Sequence, residues 1–186
     1  MNLIKTKFED AFLVIPQVFG DYRGFFMESY NQEVFEKNGI NISFIQDNHS
    51  LSQQAGTLRG LHYQLSPKAQ TKLVRVTRGA IYDVIVDIRK GSSTYGQWQG
   101  FILTAENKHQ LLVPKGFAHG FCTLVENTEV QYKVDELYSP EHDQGIIWND
   151  PNLDIDWPVI EPILSEKDKK HPVMEEAINN FEWERK

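Results

Sequence analysis

The chain has 186 residues, 40% hydrophobic and 24% charged, which suits one soluble globular domain and excludes disordered or fibrous classes. Lys and Arg number 19 against 26 Asp and Glu, a formal net charge of −7. With no basic surplus or stripe, nucleic acid is excluded as a partner, and any anionic ligand must be held by a few local cations.

The N-terminus runs from Met1 to Lys7 straight into Phe8-Glu9-Asp10 without a signal-peptide core. The early apolar run Ala11–Ile15 is too short to span a bilayer, so the expectation is a cytoplasmic protein with no membrane partner. Short β-like runs punctuated by Gly, Pro, Asn and Asp then dominate. They are predicted at 12–15, 25–30, 42–51, 57–63, 72–77, 80–88, 98–104, 109–113, 119–124 and 129–134. Asn31 is placed to cap a helix over 32–38 that stops at Gly39. The lone cysteine, Cys122, sits in an apolar run, reads as buried, and leaves no intrachain disulfide, which fits a reducing compartment. Residues 148–162, rich in Pro, Asp and Asn, read as an ordered loop. After Pro172, Met174, Ala177, Ile178 and Phe181 fall at helical spacing and predict a helical tail over 173–184. The sum is an all-β sandwich or barrel with short flanking helices, one domain over 1–186.

The most informative stretch is Pro114-Lys115-Gly116-Phe117-Ala118-His119. Pro and Gly make a tight turn, and the next strand aims a histidine into a barrel mouth. The spacing resembles the second motif of the cupin superfamily and implies a jelly-roll β-barrel. Metal-binding cupins begin their first motif with His-x-His, but here the run is His62-Tyr63-Gln64. Two histidines alone would underfill a first-row metal site, so no metal is expected and both become candidates for proton chemistry or substrate hydrogen bonds.

Longer blocks carry a more specific resemblance. They are Phe19–Glu28, Gln46–Ser50, Leu58–Gln64, Gln70–Val76, Pro114–Phe121, Tyr132–Val134, Tyr138–Pro140 and Leu164–Asp168. In this order over most of the chain they are similar to the dTDP-4-dehydrorhamnose 3,5-epimerase family. The resemblance implies cofactor-independent inversion of both carbons flanking the ketone of dTDP-4-dehydro-6-deoxy-D-glucose. Such a proton leaves only if the enolate is stabilised, so the site needs a base, an acid on the opposite face and a cation at the oxygen.

Matched to the family pattern, His62 is the base, Asp168 the carboxylate that orients it, Tyr132 the opposite-face acid and Lys72 the cation. Arg23, Arg59 and Lys167 are implied diphosphate contacts, Tyr138 a platform for thymine and His119 a sugar contact. Glu28, Gln46, Asp47 and Asn48 are further polar contacts. Asp143 stands where the family commonly has Glu. Read without the resemblance, the histidines would be satisfied interior groups and Asp168 part of a solvated charge cluster at 166–170. The family also implies a homodimer with exchanged N-terminal strands, in which Arg23 and Glu28 serve the partner's site. Rival readings are an enzyme inverting a single carbon of a related dTDP-keto sugar, a non-catalytic sugar-nucleotide binding module, and a metal-dependent cupin, the last disfavoured by Gln64.

Overall fold

The computed structural model describes residues 1–183. Its strands are β1 (Asn2–Lys5), β2 (Phe12–Ile15), β3 (Val18–Asp21), β4 (Gly24–Met27), β5 (Gln46–Ser52), β6 (Leu58–Gln64) and β7 (Lys72–Arg78). They continue with β8 (Ala80–Asp87), β9 (Trp98–Thr104), β10 (Gln110–Val113), β11 (Phe117–Thr123), β12 (Thr128–Val134) and β13 (Asp143–Gly145). One α-helix, α1, spans Gln32–Lys37, and Asn31 caps it by accepting from Val34 N at 3.3 Å.

Two antiparallel sheets form the jelly roll, in the orders β1-β2-β10-β7-β12-β5 and β13-β6-β11-β8-β9, with β3-β4 as a separate hairpin. Strand alternation sends Val74, Val76, Leu111 and Val130 of the first sheet inward to meet Ile81, Ile85, Leu103, Phe117 and Phe121 of the second. Full burial of each such side chain contributes about 1.5–3 kcal/mol, so this layer is the main cohesive element. A second cluster covers the outer face of the second sheet, where Leu153 and Trp157 of the 148–162 loop pack on Val84, Val86 and Cys122. A third seats Phe35 of α1 against Val14, Leu73 and Leu112.

Strand β6 does not run evenly along β11. His62 opposes His119 and Arg59 opposes Phe121, so two residues of β6, Gly60 and Leu61, lie between these pairs against one of β11, Gly120. This bulge puts Arg59 and His62 on one face, although simple alternation would separate them. Gly60 makes it possible: a Cβ there would lie 2.5 Å from Gly120 Cα, and its φ is +133°.

The ten predicted runs all correspond to strands, with ends displaced by up to four residues. Residues 42–45 are not strand: Ile42 and Phe44 pack in the α1 cluster instead, and β5 begins at Gln46. Strands β1, β3 and β13 had no counterpart among the predicted elements.

The helical tail over 173–184 is overturned in its described part. A single turn at 173–177 is followed by extended chain. The barrel claims the backbone groups a helix would need: Tyr63 Oη donates to Ile178 O at 2.6 Å, Lys90 N to Phe181 O at 3.0 Å and Trp183 N to Lys90 O at 2.7 Å. Asn180 ties both of its side-chain atoms to Ser66. The apolar spacing is real, since Met174, Ala177 and Phe181 pack on the second cluster, but it serves a strap rather than a helix.

Candidate active site

A cavity of about 270 Å³ opens between the two sheets, lined by Ser50, Arg59, His62, Lys72, His119, Phe121, Tyr132, Ser165, Lys167 and Asp168. The same inward faces that build the core supply its polar wall. On β7 Lys72 continues the row of Val74 and Val76, and on β12 Tyr132 continues the row of Val130. On β11 His119 lies between inward Phe117 and Phe121.

Asp168 arrives from a single 3₁₀ turn at Asp168–Lys170 and is 3% exposed. Its Oδ1 meets His62 Nε2 at 2.5 Å, which leaves His62 Nδ1 for other work. Burial lowers the His62 pKa, outweighing the Asp168 carboxylate that opposes it, so the ring is neutral and basic near pH 7. Burial alone would raise Asp168, yet the adjacent His171 and His62 imidazoles, the latter hydrogen-bonded to it, hold it well below the usual carboxylate range. Tyr132 is pushed up by burial, against the opposing pull of Arg59, and therefore carries its proton at neutral pH. Burial brings Lys72 down to about 8 despite Asp83 and Asp143 nearby.

A second imidazole–carboxylate pair stands beside the first. His119 Nε2 lies 2.6 Å from Asp83 Oδ1, with Asp83 fully buried and its Oδ2 without a hydrogen-bond partner. The sequence reading missed Asp83. Its signal was available: an aspartate at inward parity inside the apolar run Ile81–Val86 is costly to bury unless it holds a polar neighbour.

Other expected residues fall elsewhere. Gln46 and Asn48 share the half-buried face of β5 with Ser50, and Gln46 Nε2 donates to Asn48 Oδ1 at 2.8 Å. Asp47 points to the opposite face and pairs with Lys133 at 2.9 Å, so alternation removes it from its own chain's cavity. Arg23 is exposed on the β3–β4 hairpin and paired with Asp21, and Glu28 accepts from Asn31 at 3.1 Å. Neither lines this chain's cavity. Tyr138 is 60% exposed and donates to Asp143 Oδ2 at 2.9 Å, while Lys167 pairs with the same oxygen. Asp143 is thus a clasp between two loops, and its carboxylate already has partners.

Gln64 sits where a metal-binding cupin would place a histidine. Its Nε2 donates to Lys68 O at 2.6 Å and Leu137 O at 3.1 Å, and its Oε1 accepts from Ser139 N at 2.8 Å. All three contacts fasten loops, and none points to ligation. Among the described residues, His62, Asp168 and His171 bring ligand atoms within 4.8 Å of one another. His62 Nε2 and Asp168 Oδ1 are committed to each other there, as in a proton-transfer dyad.

A cupin-type barrel with a His–Asp dyad, a buried phenol and a buried ammonium around one cavity defines a carbon-acid isomerase of the proton-transfer class. Comparison with known proteins narrows this. The family model described as dTDP-4-dehydrorhamnose 3,5-epimerase matches residues 5–176. The dTDP-4-dehydrorhamnose 3,5-epimerase of Shigella flexneri is 56% identical, over 90% of this chain and 93% of its own. A crystal structure of the Bacillus anthracis enzyme of the same name, with TDP and PPi bound, superposes with TM-score 0.91 at 62% identity, covering 92% of this chain and 98% of that one. An epimerase from Legionella pneumophila in complex with dTDP-4-keto-L-rhamnose gives TM-score 0.90 at 47% identity, covering 94% and 93%. The chain belongs to the dTDP-4-dehydrorhamnose 3,5-epimerase family.

Proposed function

We infer that this protein converts dTDP-4-dehydro-6-deoxy-D-glucose to dTDP-4-dehydro-L-rhamnose by inverting the two carbons that flank the ketone. The observation that carries the mechanism is the His62–Asp168 contact of 2.5 Å at the cavity wall. Asp168 fixes the tautomer in which Nδ1 of His62 takes the proton from the carbon next to the carbonyl. The electron pair moves into the carbonyl, and the enolate oxygen is met by the Lys72 ammonium, while His119 contacts the sugar. Tyr132 returns a proton to the opposite face of the same carbon, and the cycle repeats at the second carbon after the two groups exchange protons with solvent. Arg59 and Lys167 hold the diphosphate, because clustered cations in an acidic chain match its charge. Tyr138 stacks on thymine at the rim.

We also read the working form as a cytoplasmic homodimer. Phe19, Tyr22, Phe25 and Phe26 are exposed on the β3–β4 hairpin, an apolar tip that a second copy would cover. Arg23 and Glu28 would then serve the partner's cavity.

The experiment is to incubate wild type, His62→Ala and Tyr132→Phe with the keto sugar in heavy water and follow both carbons by NMR. Wild type takes up deuterium at both positions with inversion. His62→Ala loses exchange at both by about 10²–10⁴-fold. Tyr132→Phe exchanges but forms little inverted sugar. Exchange at one carbon only in wild type would assign a single epimerisation, and undiminished exchange in His62→Ala would remove His62 as the base.

A further inference from the structure

Behind the dyad lies a histidine to which neither the family resemblance nor the mechanism above gives a part. The His171 side chain is 10% exposed, and its Nε2 is buried without a hydrogen-bond partner, 3.6 Å from Asp168 Oδ1. Its ring packs edge-on against His62, with centroids 5.5 Å apart and an interplanar angle of 73°. The space it occupies is created by a glycine. A Cβ on Gly145 would lie 2.4 Å from His171 Cε1 and Nε2, and Gly145 is the β13 residue registered opposite His62. One missing side chain thus lets a second imidazole reach both halves of the dyad.

We propose that His171 is a positioning residue for proton abstraction: it fixes the His62 ring by edge contact and, with Nε2 3.6 Å from Asp168 Oδ1, acts on that same oxygen electrostatically without a full hydrogen bond. This rests on the reading of His62 as the base. A carboxylate with a second imidazole beside the same oxygen is a weaker acceptor for the first, so His171 keeps Asp168 from drawing His62 into a fully charged pair. His62 then remains neutral and able to accept the substrate proton. The other charged or titratable groups around this point are Lys72 on β7, His119 on β11, Asp143 on β13 and Lys167 beside Asp168. Lys72 and Lys167 act on His62 in the same direction as burial, lowering its pKa.

The test compares His171→Phe, which keeps a ring in the Gly145 gap but removes the N–H, with His171→Gln, which restores a donor. Two quantities are read: kcat and KM across pH, and the titration of His62 in the free protein by ¹⁵N NMR. In His171→Phe, the His62 midpoint should move up, the acid limb of kcat/KM should move with it, and kcat should fall about tenfold with KM little changed. His171→Gln should return the midpoint toward wild type. An unchanged His62 midpoint and pH profile in a folded His171→Phe would overturn the proposal while leaving His62 as the base. Retained exchange in His62→Ala would overturn both. If His171→Phe fails to fold, Gly145→Ala displaces the same ring from the other side, and an unshifted His62 titration in that variant overturns the proposal as well.

Discussion

His62 and His119 oppose each other across the β6–β11 ladder, and each ends on its own buried aspartate, Asp168 for one and Asp83 for the other. The two pairs differ in access. The His62 side chain is 32% exposed and the His119 side chain 7%, which suits the first to meeting a carbon and the second to a fixed hydrogen bond.

Asp83 should therefore matter although it does not line the cavity. Asp83→Asn keeps the shape but loses the charge shared by His119 and Lys72. We expect kcat to fall by about 10²-fold, near the cost of removing an oxyanion donor, with dTDP affinity unchanged. Steady-state kinetics with dTDP calorimetry decide it: a loss confined to affinity would place Asp83 outside the chemistry.

Lys72 should set an alkaline limit on activity. On the proposed mechanism its ammonium, protonated below about 8, faces the enolate oxygen; above that it is neutral and the oxygen loses its cation. The wild-type rate should fall as pH rises through that value, and in Lys72→Arg the fall should move to higher pH, because a guanidinium stays charged. A depressed lysine pKa also means the unfolded chain binds a proton that the folded chain releases, so stability should rise between pH 8 and the ordinary lysine range of about 10.4. Lys72→Met should abolish most activity, by about 10²–10³-fold, yet melt at a higher temperature than wild type. A lower melting temperature would contradict the assignment of a costly buried ammonium.

Arg59 reaches the cavity only through the β6 bulge and is held by Ser52 Oγ at 3.3 Å. Arg59→Ala should weaken dTDP binding by about 1.5–3 kcal/mol. Calorimetry showing unaltered affinity would take Arg59 out of nucleotide recognition.

Chelation should leave activity intact. Gln64 is bound on both ends to backbone, and His62 and Asp168 spend their facing atoms on each other. Activity that vanished on exhaustive dialysis against EDTA and returned with a divalent ion would contradict this.

Much of the architecture was legible because it depends on local patterns. Alternating apolar residues gave the central strands, and Pro114, Gly116 and His119 gave the turn into β11. What stayed hidden depends on partners distant in sequence. Asp143–Gly145 is a strand only because β6 offers it an edge, and no pattern in Asp-Gln-Gly announces that. The tail shows the helical period because apolar groups recur at that spacing, while Tyr63 and Lys90 decide its conformation. Within the site, resemblance located His62, Lys72, Tyr132 and Asp168 around one cavity. It could not show that alternation turns Asp47 away, that Asp143 is already engaged, or that Gly145 makes room for His171.

The C-terminal strap also sets an order of events during synthesis. By Gly145 the chain holds every barrel strand, including His62, Lys72 and Tyr132, but the carboxylate that aims the base comes 23 residues later and is flanked by His171. A nascent chain can thus complete its barrel on the ribosome and bury most of its core while it still lacks the carboxylate proposed to orient its base. On the proposed reading, catalytic competence is then the last property the chain acquires, because the segment that carries Asp168 follows every barrel strand.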